Sequence, residues 1–112
     1  MIYDLESRTK AFSKKMINLL SEIKITEINR NIISQLIRSA TSIGANYCEA
    51  NNASSKKDFK NKIFICKKES QETKYWLELL AEINKENIIK LRLFWKEAHE
   101  LLLIFSKIIS SL

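Results

Sequence analysis

The sequence predicts an all-α fold, an antiparallel up-down-up-down four-helix bundle with long helices and short loops. The 112 residues contain no proline and a single glycine, Gly44, so almost nothing interrupts a helix. Apolar residues recur every three or four positions along four long segments, and their share of 46% is enough for a core. Because short connections force successive helices to run antiparallel, we expect residues 1–112 to form one bundle domain.

The first two predicted helices span residues 4–24 and 27–51. Asp4 is the expected N-cap of the first helix, because a short acidic side chain can accept a hydrogen bond from a free backbone N–H. In the second helix, the small residues Gly44 and Ala45 would let another backbone approach closely. The residues predicted to face the core are Leu5, Phe12, Met16, Leu19 and Ile23 in the first helix, and Ile32, Leu36, Ala40, Ile43, Tyr47 and Ala50 in the second.

The third predicted helix begins at Ser54 or Ser55 and ends near residue 83, and the fourth spans residues 86–110. Ser55 followed by Asp58 resembles a capping box, with Asp in place of the usual Glu or Gln. The predicted core rows are Phe59, Ile63, Cys66, Ser70, Thr73, Leu77 and Leu80, and then Ile88, Leu91, Trp95, Ala98, Leu102, Phe105 and Ile109.

These last two helices carry more large apolar residues than a monomeric bundle requires. A stripe of little more than about 100° is enough to cover a core. The excess consists of Ile65, Trp76, Leu79 and Ile83 on the third helix, and of Phe94, Leu101, Ile108 and Leu112 on the fourth. Surplus apolar surface usually marks an interface, so we predict a homo-oligomer.

A polar stripe runs along the second helix beside its apolar face. Its members follow one another at intervals of four, four and three residues and therefore share one side; they are Arg38, Ser42, Asn46 and Glu49. Because the planar guanidinium of arginine binds carboxylates at two points, we expect Arg38 to bind a glutamate within one subunit or across an interface. The candidate residues of this network or interface are Glu49, Glu69 and Glu72, with Trp76 beside them. The other interpretation is a solvent-facing stripe with incidental spacing.

The start of the third helix is dense in lysine. The cluster, which contains a lone acidic residue, Asp58, consists of Lys56, Lys57, Lys60, Lys62, Lys67 and Lys68. Helix N-termini favour acidic side chains, so lysines there run against the usual preference. With a net charge of +6, the cluster indicates either a surface for RNA or DNA phosphates or charge that serves solubility. Both interpretations stay open.

The residue types of common catalytic and metal sites are not combined in this sequence. A di-iron bundle needs Glu-x-x-His pairs, and the one histidine, His99, belongs to no such motif. Cys48 and Cys66 lack metal-binding spacing and lie in apolar rows, so we expect two buried, reduced thiols. We therefore expect no enzymatic activity, no metal and no cofactor.

Two segments bear on cellular location. Residues 1–10 are charged rather than apolar, so we expect no signal peptide. The longest apolar run, residues 101–105, is too short to span a bilayer. We therefore predict a cytoplasmic protein without a membrane partner.

Three motifs together carry a resemblance to a known family. Residues 38–49 read R-S-x-x-S-I-x-x-N-x-x-E, residues 55–59 read S-K-K-D-F, and residues 68–77 read K-E-x-x-E-T-x-Y-W-L. This combination resembles the bacterial four-helix-bundle protein family, also called the 23S ribosomal RNA intervening-sequence protein family. Many members have glycine after the glutamate of the first motif, where this chain has Ala50.

The resemblance implies an antiparallel four-helix bundle that forms a homopentamer around a central channel, with no established enzymatic activity. Similar proteins include the accessory subunit of diversity-generating retroelements, a basic pentamer that binds nucleic acid and a reverse transcriptase. By this analogy we expect a non-enzymatic homo-oligomer, a pentamer, that binds RNA or DNA through its basic surface and has a protein partner. The alternative is a structural or protein-interaction scaffold that binds no nucleic acid.

Overall fold

The computed structural model describes residues 4–112, which form four α-helices packed as an antiparallel bundle. The helices are α1 (Leu5–Ser21), α2 (Arg30–Asn51), α3 (Lys56–Ile83) and α4 (Ile88–Ser110), and a 3₁₀ turn (Lys85–Asn87) precedes α4. The bundle measures 44 × 22 × 20 Å, and the all-α prediction is confirmed. The first three residues of the predicted range 1–112 lie outside the described residues.

The connection between α1 and α2 is longer than predicted because it forms its own hydrogen-bonded turn. The Thr26 N–H donates to Asn29 Oδ1 (2.7 Å), and the Asn29 N–H donates to Thr26 Oγ1 (3.1 Å). Asn29 Nδ2 also donates to the carbonyl oxygen of Lys24 (3.0 Å). This turn delays the start of α2 to Arg30, whereas the prediction placed it at residue 27.

One of the two predicted helix caps is confirmed. The Asp58 N–H donates to Ser55 Oγ (3.1 Å), and Asp58 Oδ2 accepts from the Ser54 N–H (3.4 Å), so the capping box closes one residue earlier than in the usual motif. Asp4 precedes α1 as expected, but its side chain makes no capping hydrogen bond.

The predicted core row of α4 mixes two lines of residues that differ in burial. Leu91, Ala98 and Phe105 are fully buried, as predicted. The line one position to the side is only half-buried; it consists of Ile88, Trp95, Leu102 and Ile109. Leu101, predicted as surplus, is completely buried and completes the core face of α4. A seven-residue spacing drifts by about 20° per repeat on a helix, so neighbouring lines are easily exchanged.

The other predicted surplus residues lie at the edge of the core or beyond it. Ile83 and Leu112 are exposed. The remaining ones are half-buried and consist of Ile65, Trp76, Leu79, Phe94 and Ile108. On α2 the core face is also shifted, since Ile33 is buried and Ile32 and Tyr47 are half-buried. Seven of the eight predicted surplus residues therefore lie outside the buried core, and Leu101 is the exception.

The four sides of the bundle are not packed equally. A Cβ atom added to Gly44 of α2 would lie 3.3 Å from the carbonyl oxygen of Thr9 in α1, which confirms the predicted close approach of a backbone. By contrast, α1 and α4 pack least closely and leave a groove of about 380 Å³ between them. Phe12, Leu93 and Phe94 form its apolar part, and charged residues of both helices also line it. Within residues 4–112, no helix has both the length and the apolarity needed to cross a bilayer.

The two cysteines differ in environment, and the prediction of two buried thiols is wrong for Cys48. Cys66 is fully buried beneath α2, where its Sγ lies 3.5 Å from the carbonyl oxygen of Ile43. Burial raises the pKa of the Cys66 thiol to about 12, so the thiol stays protonated. Cys48 is exposed because it lies on the solvent side of α2, two residues before the buried Ala50.

Candidate nucleic-acid interface and polar network

The predicted lysine cluster occupies the N-terminal half of α3, directly after the Ser55 cap. Four of its members are exposed, namely Lys56, Lys57, Lys60 and Lys68, and the other two, Lys62 and Lys67, are half-buried. Lys62 Nζ donates to Glu49 Oε1 on α2 (2.8 Å), and this hydrogen bond raises the pKa of Lys62. Within residues 4–112, none of the other five has a carboxylate oxygen within 4.0 Å. Their charges are therefore available to an anionic ligand.

Arg38 is the centre of the polar network between α2 and α3. Its Nη2 atom lies 3.2 and 3.0 Å from the two carboxylate oxygens of Glu72, and its Nη1 atom lies 3.9 Å from Glu69 Oε2. Trp76 joins the network, since its Nε1–H donates to Glu72 Oε2 (3.4 Å). The contacts link the two helices within one subunit, so this part of the network needs no second copy.

The structure does not bring the rest of the polar stripe to these glutamates. Ser42 Oγ donates to the carbonyl oxygen of Arg38 (2.7 Å), and Asn46 Nδ2 donates to the carbonyl oxygen of Ser42 (2.8 Å). Both side chains thus bind the backbone of their own helix, as polar side chains four residues ahead of a carbonyl often do. Glu49 binds Lys62 and not Arg38.

Glu69 is the least well solvated group of the network. Its side chain is buried, and within the described residues its Oε1 atom has no hydrogen-bond partner. Burial, followed by the nearby Glu72 carboxylate, raises the pKa of Glu69, and Arg38 lowers it to a smaller extent. The folded protein therefore favours the protonated acid at this position more than the unfolded chain does.

We expect the Glu69→Gln variant to be more stable than the parent protein at pH 7, by about 1 kcal/mol. A group whose pKa is raised on folding stabilises the native state below its ordinary pKa of 4.5 and loses that contribution as the pH rises through the folded value. Glutamine carries no charge and can donate an N–H to Glu72, so the gain should be present at pH 7 and small at pH 4. Urea denaturation at both pH values measures it.

Glu72→Gln is the matched control, because both carboxylate oxygens of Glu72 accept from Arg38 Nη2. The same substitution should reduce stability at pH 7 here, since it removes the charge that Arg38 binds. A loss of stability in Glu69→Gln at pH 7 would show that the Glu69 carboxylate is satisfied in the folded protein.

A cluster between α3 and α4 was not predicted from the sequence. Lys74 is buried, and its Nζ atom lies 3.0 Å from His99 Nδ1 and 4.5 Å from the centre of the Trp95 ring. Trp95 stacks on His99 with ring centres 5.3 Å apart and donates its Nε1–H to Glu78 Oε2 (2.9 Å). A lysine ammonium group has no acceptor, so a charged Lys74 donates in this contact and His99 Nδ1 accepts.

The signal for this cluster was the four-residue spacing of Trp95 and His99, which places them on one side of α4. His99 is half-buried, and Lys74 covers its ring nitrogen Nδ1. Among the side chains of residues 4–112, no three His, Cys, Asp or Glu residues group closely enough to hold a metal ion.

Comparison with known proteins gives the family of the chain. The family model described as 23S rRNA-intervening sequence protein matches residues 4–107. The chain belongs to the 23S rRNA-intervening sequence protein family. The match extends over all four helices, whereas the three motifs of the resemblance lie in α2 and α3.

A solved relative from the same comparisons supports the fold of this 23S rRNA-intervening sequence family member. It is a protein of unknown function from the S23 ribosomal protein family of Bacteroides thetaiotaomicron VPI-5482, 32% identical to this chain. The alignment covers 93% of this chain and 96% of the relative, with a TM-score of 0.81. A search of curated proteins gives no significant match.

Proposed function

We propose that this protein is a non-enzymatic, cytoplasmic homo-oligomer that binds RNA or DNA through the basic start of α3. The observation that carries the proposal is the lysine cluster, in which Lys56, Lys57 and Lys60 are exposed and bind no carboxylate among the described residues. Phosphate oxygens are the partners that such a surface fits, and lysine binds them as a point charge without reading sequence.

The position of the cluster adds a second argument. The free backbone N–H groups and the dipole at the start of α3 favour a negative group there, and the adjacent lysines favour the same charge. Lysines at this end cost some stability to the isolated helix, and a bound polyanion would offset that cost. We therefore propose contacts to the backbone of the nucleic acid, with strong dependence on salt.

The proposed oligomer rests on the groove between α1 and α4. Leu93 is exposed at the rim of this groove, and Phe12 and Phe94 meet edge to face beneath it with ring centres 5.7 Å apart. Burying such a groove against a second copy would remove apolar surface from water. A closed ring such as the proposed pentamer would use this groove as one of two unlike faces, because rings form from head-to-tail contacts.

The test of nucleic-acid binding compares two triple charge reversals with a fluorescent RNA at about 50 mM salt. We expect Lys56→Glu/Lys57→Glu/Lys60→Glu to weaken binding by about 100-fold and to flatten its salt dependence, because three phosphate contacts are lost. Two of the acidic replacements, at positions 56 and 57, lie in the first turn of α3, where they favour the helix, and the third lies one residue beyond it. The loss of binding should therefore not come from unfolding.

The control variant reverses three exposed lysines elsewhere, Lys10, Lys14 and Lys24. Both triple variants lower the net charge of +6 by six, so a general effect of charge would weaken binding equally in both. Equal losses would contradict a defined interface on α3. Absence of binding by the parent protein at low salt would favour the scaffold alternative. Light scattering coupled to size exclusion measures the subunit number, and a monomer at micromolar concentration would overturn the oligomer.

A further inference from the structure

The solvent-facing side of α3 alternates lysines with exposed aromatic rings. We name this row the mixed stripe; its members are Lys57, Phe64, Lys68 and Tyr75. They follow one another at intervals of 7, 4 and 7 residues, and the whole row covers 18 residues, which is five helical turns. All four side chains therefore point in nearly the same direction.

The two rings of the mixed stripe are unusually accessible for large side chains. Phe64 is 45% exposed and Tyr75 is 53% exposed. Trp76 contacts Tyr75 in a T-shaped arrangement with ring centres 5.0 Å apart, so one side of the Tyr75 ring is held in place. Both rings border an open groove that also contains Lys67, Lys68 and Gln71. Exposed rings between lysines are what a ligand with flat faces and negative charge requires.

We infer that the mixed stripe binds single-stranded nucleic acid, with Phe64 and Tyr75 stacking on bases and Lys57 and Lys68 binding phosphates. The inference rests on the proposed function and narrows it from RNA or DNA in general to unpaired strands. A duplex stacks its bases internally and exposes only their edges in its grooves, so it offers no free base face on which the two rings could stack. In a single strand, every base has a free face.

The length of the mixed stripe sets the size of the site. Phe64 and Tyr75 are 11 residues apart, or about 16 Å along the helix, and the whole stripe covers about 27 Å. At the duplex spacing of about 3.4 Å per nucleotide, these lengths correspond to at most roughly five and eight nucleotides, and an extended single strand needs fewer. A twelve-nucleotide probe is therefore long enough to cover the stripe of one subunit.

One acidic side chain also borders the groove, and its charge is not free. Both carboxylate oxygens of Glu72 accept from Arg38 Nη2, and one of them also accepts from Trp76, so the carboxylate is directed towards α2 and not towards a ligand. Lys67 and Lys68 carry the charge that remains on the groove side of α3. The local charge is therefore positive, in keeping with the net charge of +6 of the chain.

The experiment measures anisotropy of a labelled twelve-nucleotide oligothymidylate and of a twelve-base-pair duplex at about 50 mM salt, with the full chain. We expect Phe64→Ala and Tyr75→Ala each to weaken binding of the single strand by about tenfold and to leave duplex binding within twofold. Tyr75→Phe keeps the ring and should bind as the parent protein does. Leu103→Ala, on an equally exposed side chain of α4, is the control for loss of apolar surface.

Three other results would each contradict a specific claim about the mixed stripe or the proposed function. If the duplex binds and the alanine variants change neither affinity, or both affinities equally, the stacking inference is wrong and the proposed function stands. If neither probe binds the parent protein, both fall. If Phe64→Ala or Tyr75→Ala lowers the subunit number seen by light scattering, the mixed stripe is an interface between copies of the chain.

Discussion

The Leu101→Ala variant is expected to lose about 2–5 kcal/mol of unfolding free energy. Leu101 has no accessible surface and lies on the core face of α4 with Ala98 and Phe105. Truncation removes buried methyl groups and leaves a cavity that the surrounding side chains can only partly fill, so both the lost burial and the cavity count against the folded state. Urea or guanidinium denaturation followed by circular dichroism measures the change.

Leu103→Ala is the matched control, because it makes the same substitution two residues further along the same helix. Leu103 is 55% exposed, and a surface substitution of this kind changes stability by about 0.5 kcal/mol or less. Equal losses in the two variants would mean that α4 is rotated or that the Leu103 side is covered in an assembly. The two variants together therefore test which side of α4 faces the core. The sequence pattern predicted Leu102 on that side, and the structure places Leu101 there.

The number and type of helices could be predicted because the signals are local. The absence of proline, the regular apolar spacing and the Ser55 cap each act within a few residues of the chain. The end of α1 and the start of α2 were predicted a few residues away from their positions in the structure. The turn between them is formed by Thr26 and Asn29, whose polar side chains also occur within helices. The line of α4 that faces the core depends on the other helices, and spacing alone could not choose between Leu101 and Leu102.

The contacts of the candidate site could be predicted only where a side chain binds one kind of partner group, as arginine binds carboxylates. The arginine of the polar stripe, with glutamates on the neighbouring helix, predicts a guanidinium–carboxylate pair. Arg38 and Glu72 form such a pair. Which glutamate of α3 it binds depends on the stagger of α2 against α3, so spacing alone could not choose between Glu69 and Glu72. Glu49 lies on the same helix as Arg38, about 16 Å further along it, and binds Lys62 instead. Lys74 was missed because a lysine is expected at the surface, whereas its stem is covered and its charge lies over Trp95.

We also expect a large effect from Gly44→Leu, with a loss of about 2–3 kcal/mol of unfolding free energy. A Cβ at this position would lie 3.3 Å from the backbone oxygen of Thr9 and 3.4 Å from its Oγ1 atom. A carbonyl oxygen within a helix cannot move by itself, so the larger side chain must push α1 away from α2. Leucine favours the helix over glycine by about 1 kcal/mol. The expected loss of unfolding free energy is therefore the cost of crowding minus this gain.

Two further variants separate the crowding from the propensity. Ala45→Leu places the same side chain on the exposed neighbouring position and should change stability by about 0.5 kcal/mol or less. Gly44→Ala combines a tight 3.3 Å contact with a gain in propensity of about 1 kcal/mol, so the two effects should nearly cancel. If Gly44→Leu unfolds at the same denaturant concentration as the parent protein, α1 does not approach α2 as closely as the Thr9 contact requires. α1 packs more closely on α2 than on α4, which it meets through the Phe12–Phe94 ring pair and the Arg8–Glu97 ion pair. A displaced α1 would also widen the α1–α4 groove. If Gly44→Leu lowers both the unfolding free energy and the subunit number, the groove takes part in assembly of the oligomer.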